Sequence, residues 1–231
     1  MDNVMQILQT VFGPLVLIFT VSNLAAMGLQ VKVAEVMVTL KNPKSLAQIF
    51  FWGWVMGPAF GYLITRILPL DEPYVIVILL TSLAPCAPFL QQMVGRGKGD
   101  MAFAGAFIPL VAIGTVVFMP LMAPLLIPGL TISAWALAKP LLLTILIPMI
   151  IGAAIRHYAD TVATKIFPAV KLIALISTMI TIVFCLVLYG EAMLDTAGQF
   201  ALLSMTLFMI GMAFLAYRLG LGLKQNQRSV M

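Results

Sequence analysis

The chain has 231 residues, of which 62% are hydrophobic and 9% charged, with a mean hydropathy of +1.11. Soluble domains carry about 25% charged residues, so a water-soluble enzyme or nucleic-acid-binding module is excluded. The net charge of +5 is dispersed over alternate loops rather than gathered in a patch for nucleic acid, and the partner this composition demands is a lipid bilayer.

Runs of about 20 apolar residues, the length that crosses a hydrocarbon core of about 30 Å, recur along the whole chain. Seven are read in one transmembrane domain, residues 1–231, near 11–31, 45–68, 74–94, 101–127, 132–154, 167–189 and 200–221; they are called spans A to G. Lys32, Lys41 and Lys44 follow A, Arg96 and Lys98 follow C, Arg156 and Lys165 follow E, and Arg218, Lys224 and Arg228 follow G. The other connections carry Arg66 with Asp71 and Glu72, or Glu191 with Asp195. Basic loops face the cytoplasm, so the expected orientation in a bacterial-type plasma membrane is N-terminus outside and C-terminus inside. No Lys or Arg precedes span A, so a cleaved signal peptide is not expected.

Span A carries Ser22 and Asn23. Asparagine has more hydrogen-bonding groups than its own helix can satisfy, which makes Asn23 a candidate solute contact. The plainer alternative is a bond to a neighbouring helix, worth about 1 kcal/mol. In span B, Gly53, Gly57 and Gly61 fall four apart and make a smooth stripe for close approach of another backbone. Trp52 and Trp54 flank that stripe as packing or lipid contacts.

Span C is the most unusual, because Pro85 and Pro88 interrupt it near its middle. Neither can donate a backbone N–H, and each ring clashes with the preceding turn. A break at that depth survives only if it is buried in protein or lines a wet cavity. Transporters use such discontinuous helices to present loose backbone groups to a solute. Ser82, Pro85, Pro88, Gln91 and Gln92 are therefore the leading candidates for substrate or ion binding, with Asn23 and Thr115 of span D as further polar groups at membrane depth. The GRGKGD turn after C lacks the strand and the Lys-Ser/Thr pair of a phosphate loop and reads as a tight hairpin.

Lys139 and Lys171 sit close to span ends, where their ammonium groups reach the interface. His157 lies in a loop without a second ligand for a metal. No cofactor is expected beyond a coupling ion.

The order of these motifs resembles the bile acid:sodium symporter family. The resemblance rests on Ala26-Met27-Gly28-Leu29 closing A, Met56-Gly57-Pro58 in B, the run from Ser82 to Pro88 in C, the turn at 97–100 and the Pro120/Pro124 end of D. It implies two inverted repeats of five spans, a core and a panel moving against each other, and transport of organic anions with sodium, Na+, as the usual coupling ion; arsenite efflux proteins are relatives. Aligned on Pro85, the family's sodium ligands fall on Leu90, Gln91, Ala104, Ile108 and Gly53, and only Gln91 keeps an oxygen. A proton, another ion or uncoupled passage are the alternatives. The resemblance also implies a second crossing helix beyond Met231, so the expectation is a truncated, incomplete inverted-repeat transporter.

The fold expected is thus an all-α polytopic membrane protein with seven transmembrane helices, one of them discontinuous. The leading function is a secondary transporter of a small organic anion or related solute. A receptor, or a subunit completed by a partner, is the second reading. An intramembrane enzyme has least support, since no Ser/His, Asp/Asp or metal-ligand set lies at membrane depth.

Overall fold

The computed structural model describes residues 2–85, 90, 94, 100–127, 132–196 and 200–219, and these residues form helices joined by short connections, with no strand among them. In chain order they are α1 (Asp2–Gly28), α2 (Val33–Lys41), α3 (Pro43–Phe50), a π-helical turn (Phe51–Met56), α4 (Gly57–Ile67), α5 (Glu72–Ser82), α6 (Met101–Leu126), α7 (Ala134–Leu141), a second π-helical turn (Leu142–Leu146), α8 (Ile147–Tyr158), α9 (Asp160–Asp195) and α10 (Ala201–Leu219).

Local sequence explains the starts. Asn42 caps α3, its Oδ1 accepting from the Lys44 and Ser45 N–H groups at 3.1 and 3.4 Å, and Pro43 follows where a missing N–H costs nothing. Asp100 caps α6 by accepting from the Phe103 N–H at 3.0 Å, and Ser133 caps α7 by accepting from Ala136 at 3.2 Å.

Five stretches are long and apolar enough to cross a membrane among the described residues: Gln6–Gly28, Phe103–Leu126, Ala134–Tyr158, Asp160–Leu194 and Ala201–Leu219. Seven were expected. Span B is helical from Pro43 to Ile67 through its π turn, and span C is helical over the 11 residues Glu72–Ser82, with Leu90 and Val94 again helical among the described residues. Span F is longer than expected, 36 residues rather than a bare bilayer crossing. The connection between A and B contains a helix, α2, that sequence alone left as a loop.

Packing sorts the helices into two groups with α6 between them. One group holds α1 against α8 and α9; the other holds α4 against α5 and α10. Helix α6 touches α2, α5, α7 and the second π turn, and 56% of its apolar stretch is buried, against 17% for α9 and α10. It is the central post, and its neighbours turn their other faces outward.

The first group is held by backbone contact and a polar seam. A Cβ on Gly28 would lie 2.2 Å from the Met149 carbonyl oxygen, and one on Gly152 would lie 2.6 Å from that of Ala25. Between α1 and α9, Asn23 Nδ2 donates to Thr178 Oγ1 at 3.1 Å and to the Ala174 carbonyl at 3.4 Å, while Ser22 and Ser177 hydroxyls meet at 3.2 Å. Replacing Asn23 with Leu is expected to lower thermal stability by about 1–2 kcal/mol, because both interhelical bonds go and a bulkier apolar group enters the seam. An unchanged unfolding midpoint in detergent would show that the seam contributes nothing.

Candidate functional site

Helix α5 stops at Ser82 because Pro85 has no N–H to continue the ladder and its ring would strike the Thr81 carbonyl. The freed groups are taken up locally. The Leu83 N–H bonds the Leu80 carbonyl at 3.2 Å, the Ala84 N–H bonds that of Thr81 at 3.1 Å, and Ser82 Oγ donates to Leu79 at 2.7 Å. Ala84 and Pro85 are then free of helix, part-way through the expected span C.

The glycine stripe of span B is the cradle for this break. A Cβ on Gly53 would lie 3.3 Å from Pro85 Cγ, one on Gly57 2.9 Å from the Ser82 carbonyl oxygen, and one on Gly61 2.9 Å from Ser82 Cβ. Three absent side chains therefore let the end of α5 and the proline ring lie directly on the backbone of α4 and its π turn. The expected close approach of a neighbouring backbone is met here, and the neighbour is the break itself.

Spans B and E widen near their own middles. Each π turn precedes a buried proline, Pro58 or Pro148, and the Gly57 and Ile147 N–H groups reach back five residues to Trp52 and Leu142. The widened turn accommodates the ring and the lost donor that would otherwise disrupt the helix. Irregular backbone thus occurs in B, C and E, each time near the middle of the span.

Two apolar clusters lie on either side of that level. Leu24, Met27, Ile49, Val94, Phe103, Phe107, Ile108, Val111 and Met149 pack at the end that carries the basic loops. Leu79, Leu83, Ala123 and Ile127 pack toward the opposite end.

Trp52 and Trp54 differ in a way the sequence did not indicate. Trp52 is buried and donates Nε1 to Gln48 Oε1 at 2.9 Å. Trp54 stacks on Phe118, ring centroids 5.1 Å apart, and its six-membered ring fills the notch at Gly114, where a Cβ would meet Cζ2 at 2.1 Å. Its Nε1 is buried without a hydrogen-bond partner. The Gly-Pro step after Trp54 was the available signal for the π turn; nothing in the sequence paired Trp54 with Gly114.

The structure brings Ser82 and Pro85 together on the glycine stripe. Thr115 is buried on α6 beside Gly114, with its hydroxyl donating to Val111 at 2.9 Å. Asn23 is placed elsewhere, in the α1–α9 seam. Pro88, Gln91 and Gln92 lie outside the described residues.

Of the five positions that the family resemblance assigns to sodium, Gln91 lies outside the described residues and the other four carry no side-chain oxygen. Ala104 and Ile108 are 0% and 1% exposed within an apolar cluster, Leu90 packs against the same cluster, and Gly53 is covered by Pro85. Sodium needs several hard oxygen ligands, and these four side chains offer none. Among the described residues no group of three His, Cys, Asp or Glu is placed to hold a metal.

A sequence model described as the Sodium Bile acid symporter family matches residues 14–196, a stretch that takes in the break and its cradle. The chain belongs to that family. It is 25% identical over 158 residues to "Probable sodium/metabolite cotransporter BASS3, chloroplastic" of Arabidopsis thaliana, covering 68% of this chain and 37% of that protein. It is 24% identical over 193 residues to the protein of the same description from Oryza sativa subsp. japonica, covering 83% of this chain and 46% of the relative. A rice relative described as "Probable sodium/metabolite cotransporter BASS2, chloroplastic" is 24% identical over 191 residues. The chain thus spans less than half the length of the relatives it matches. Family membership and five apolar helices of spanning length make it an integral membrane protein.

Proposed function

We propose that this chain is a secondary transporter, or the part of one that carries the solute hollow, and that its solute is a small organic anion bound beside the break at Ser82–Pro85. The observation that carries this reading is the interrupted helix seated on Gly53, Gly57 and Gly61 between two apolar clusters. Non-helical backbone at membrane depth is tolerated only where it is protein-lined or wet, and solute sites in transporters are built from such segments. Membership of the family, together with relatives described as sodium/metabolite cotransporters, supports solute transport. The loop charges favour a cytoplasmic C-terminus.

The test is counterflow in proteoliposomes holding the full chain, with labelled cholate and a panel of small carboxylates. Saturable exchange of at least one is expected; no exchange of any would remove the transport reading. Coupling is a separate question, since Gly53, Leu90, Ala104 and Ile108 supply no side-chain oxygen for sodium. Replacing sodium by choline is expected to change the initial rate by less than about two-fold, under 0.5 kcal/mol. A tenfold fall would place sodium on other oxygens of the chain.

A further inference from the structure

The indole of Trp54 is the clearest unspent hydrogen-bond donor near the break. Its Nε1 is fully enclosed yet bonded to nothing, whereas the neighbouring Trp52 indole is matched to Gln48. Buried donors without partners are rare in folded proteins, and each one calls for an explanation. The other unpartnered buried atom among the described residues, Thr181 Oγ1, is on α9, one turn beyond Thr178 of the α1–α9 seam.

Position and chemistry both bear on Trp54. It stands in the π-helical turn Phe51–Met56, and such turns recur at functional sites. Its chain neighbour, Gly53, is the residue that Pro85 covers. The apolar cores of the spans contain no charged group, so an anionic solute there must be held by neutral donors. The hydroxyls of Ser82 and Thr115 already donate to Leu79 and Val111 of their own helices, and Trp52 donates to Gln48. Beside the break, the Trp54 N–H is the enclosed side-chain donor without a bond among the described residues, whereas the Thr81 hydroxyl is only half-buried. Its ring is held in the Gly114 notch by shape and by stacking on Phe118 rather than by any polar bond, so it can leave without breaking one.

We propose that the Trp54 indole N–H is a donor to the solute's carboxylate or carbonyl oxygen, made available when the ring swings out of the Gly114 notch. This rests on the transport reading above and adds a solute-contacting residue to it. The unpaired N–H disfavours the seated conformation, and the acceptor oxygen of the solute supplies the missing bond in the other.

The variant is Trp54→Phe, which removes the N–H donor and keeps an aromatic ring for Phe118, its shorter side chain leaving the Gly114 notch part-empty. The full chain, labelled with ¹⁵N-tryptophan in nanodiscs, gives one indole resonance for each of its 3 tryptophans, and the resonance missing from W54F is that of Trp54. Cholate and propionate are the probes. The expected result is a downfield shift of the Trp54 resonance with at least one probe, together with a KM about tenfold higher in W54F. A Trp54 resonance that neither probe moves overturns the proposal, and so does W54F exchanging solute at the wild-type KM. A shifted resonance in a protein that shows no exchange would sink the transport reading and leave Trp54 as a carboxylate donor.

Discussion

Replacing Gly28 with Ala is expected to unseat span A from span E and lower stability by about 3 kcal/mol. The added methyl would sit 2.2 Å from the Met149 carbonyl oxygen and 3.0 Å from both the Ala153 nitrogen and the Gly152 Cα. All three are backbone atoms of α8, so no rotamer change relieves the clash and the helices must move apart. Gly13→Ala and Gly190→Ala are the controls, because nothing lies within 4 Å of a Cβ at either position. Those two are expected to be neutral or to stabilise by up to about 1 kcal/mol, since Ala favours a helix over Gly. Thermal unfolding in detergent separates the outcomes. A G28A protein as stable as the controls would mean that α1 and α8 do not cross at this point.

The second large effect is expected at the cradle. Gly57→Ala places a methyl 2.9 Å from the Ser82 carbonyl oxygen, so the end of α5 must lift off α4 and carry the break with it. Solute exchange is expected to fall by at least about tenfold, equivalent to 1.4 kcal/mol. Gly53→Ala is the graded comparison. Its methyl would meet Pro85 Cγ at 3.3 Å, a side-chain atom that can yield by a few tenths of an ångström. A smaller loss of exchange is expected there, with near wild-type thermal stability. Equal activity of G57A and wild type would detach the glycine stripe from function and leave it as ordinary helix packing.

The contrast between these sites shows what could be read in advance. The stripe at Gly53, Gly57 and Gly61 was legible because its four-residue spacing puts three missing side chains on one helix face. The Pro85 break was legible because proline removes a donor wherever it stands. Asn23 was legible only as a polar group at depth. Both of its readings, solute contact and interhelical bond, use the same chemistry, and the structure gives it interhelical bonds to α9. The Gly28–Gly152 crossing and the seat of Trp54 at Gly114 were out of reach, because each joins residues more than 50 positions apart with no periodic pattern linking them.

Composition by itself determined that this is a helical membrane protein. With 62% hydrophobic residues, its backbone polar groups must be satisfied within helices in hydrocarbon. Sequence also located the interruption, since proline acts on its own turn wherever the chain goes. What covers that interruption is different in kind. That α4 supports the break, that α6 stands between the two helix groups, and that Trp54 is left with an unpaired N–H follow from which surfaces fit together, and fit depends on residues far apart in the chain meeting in space.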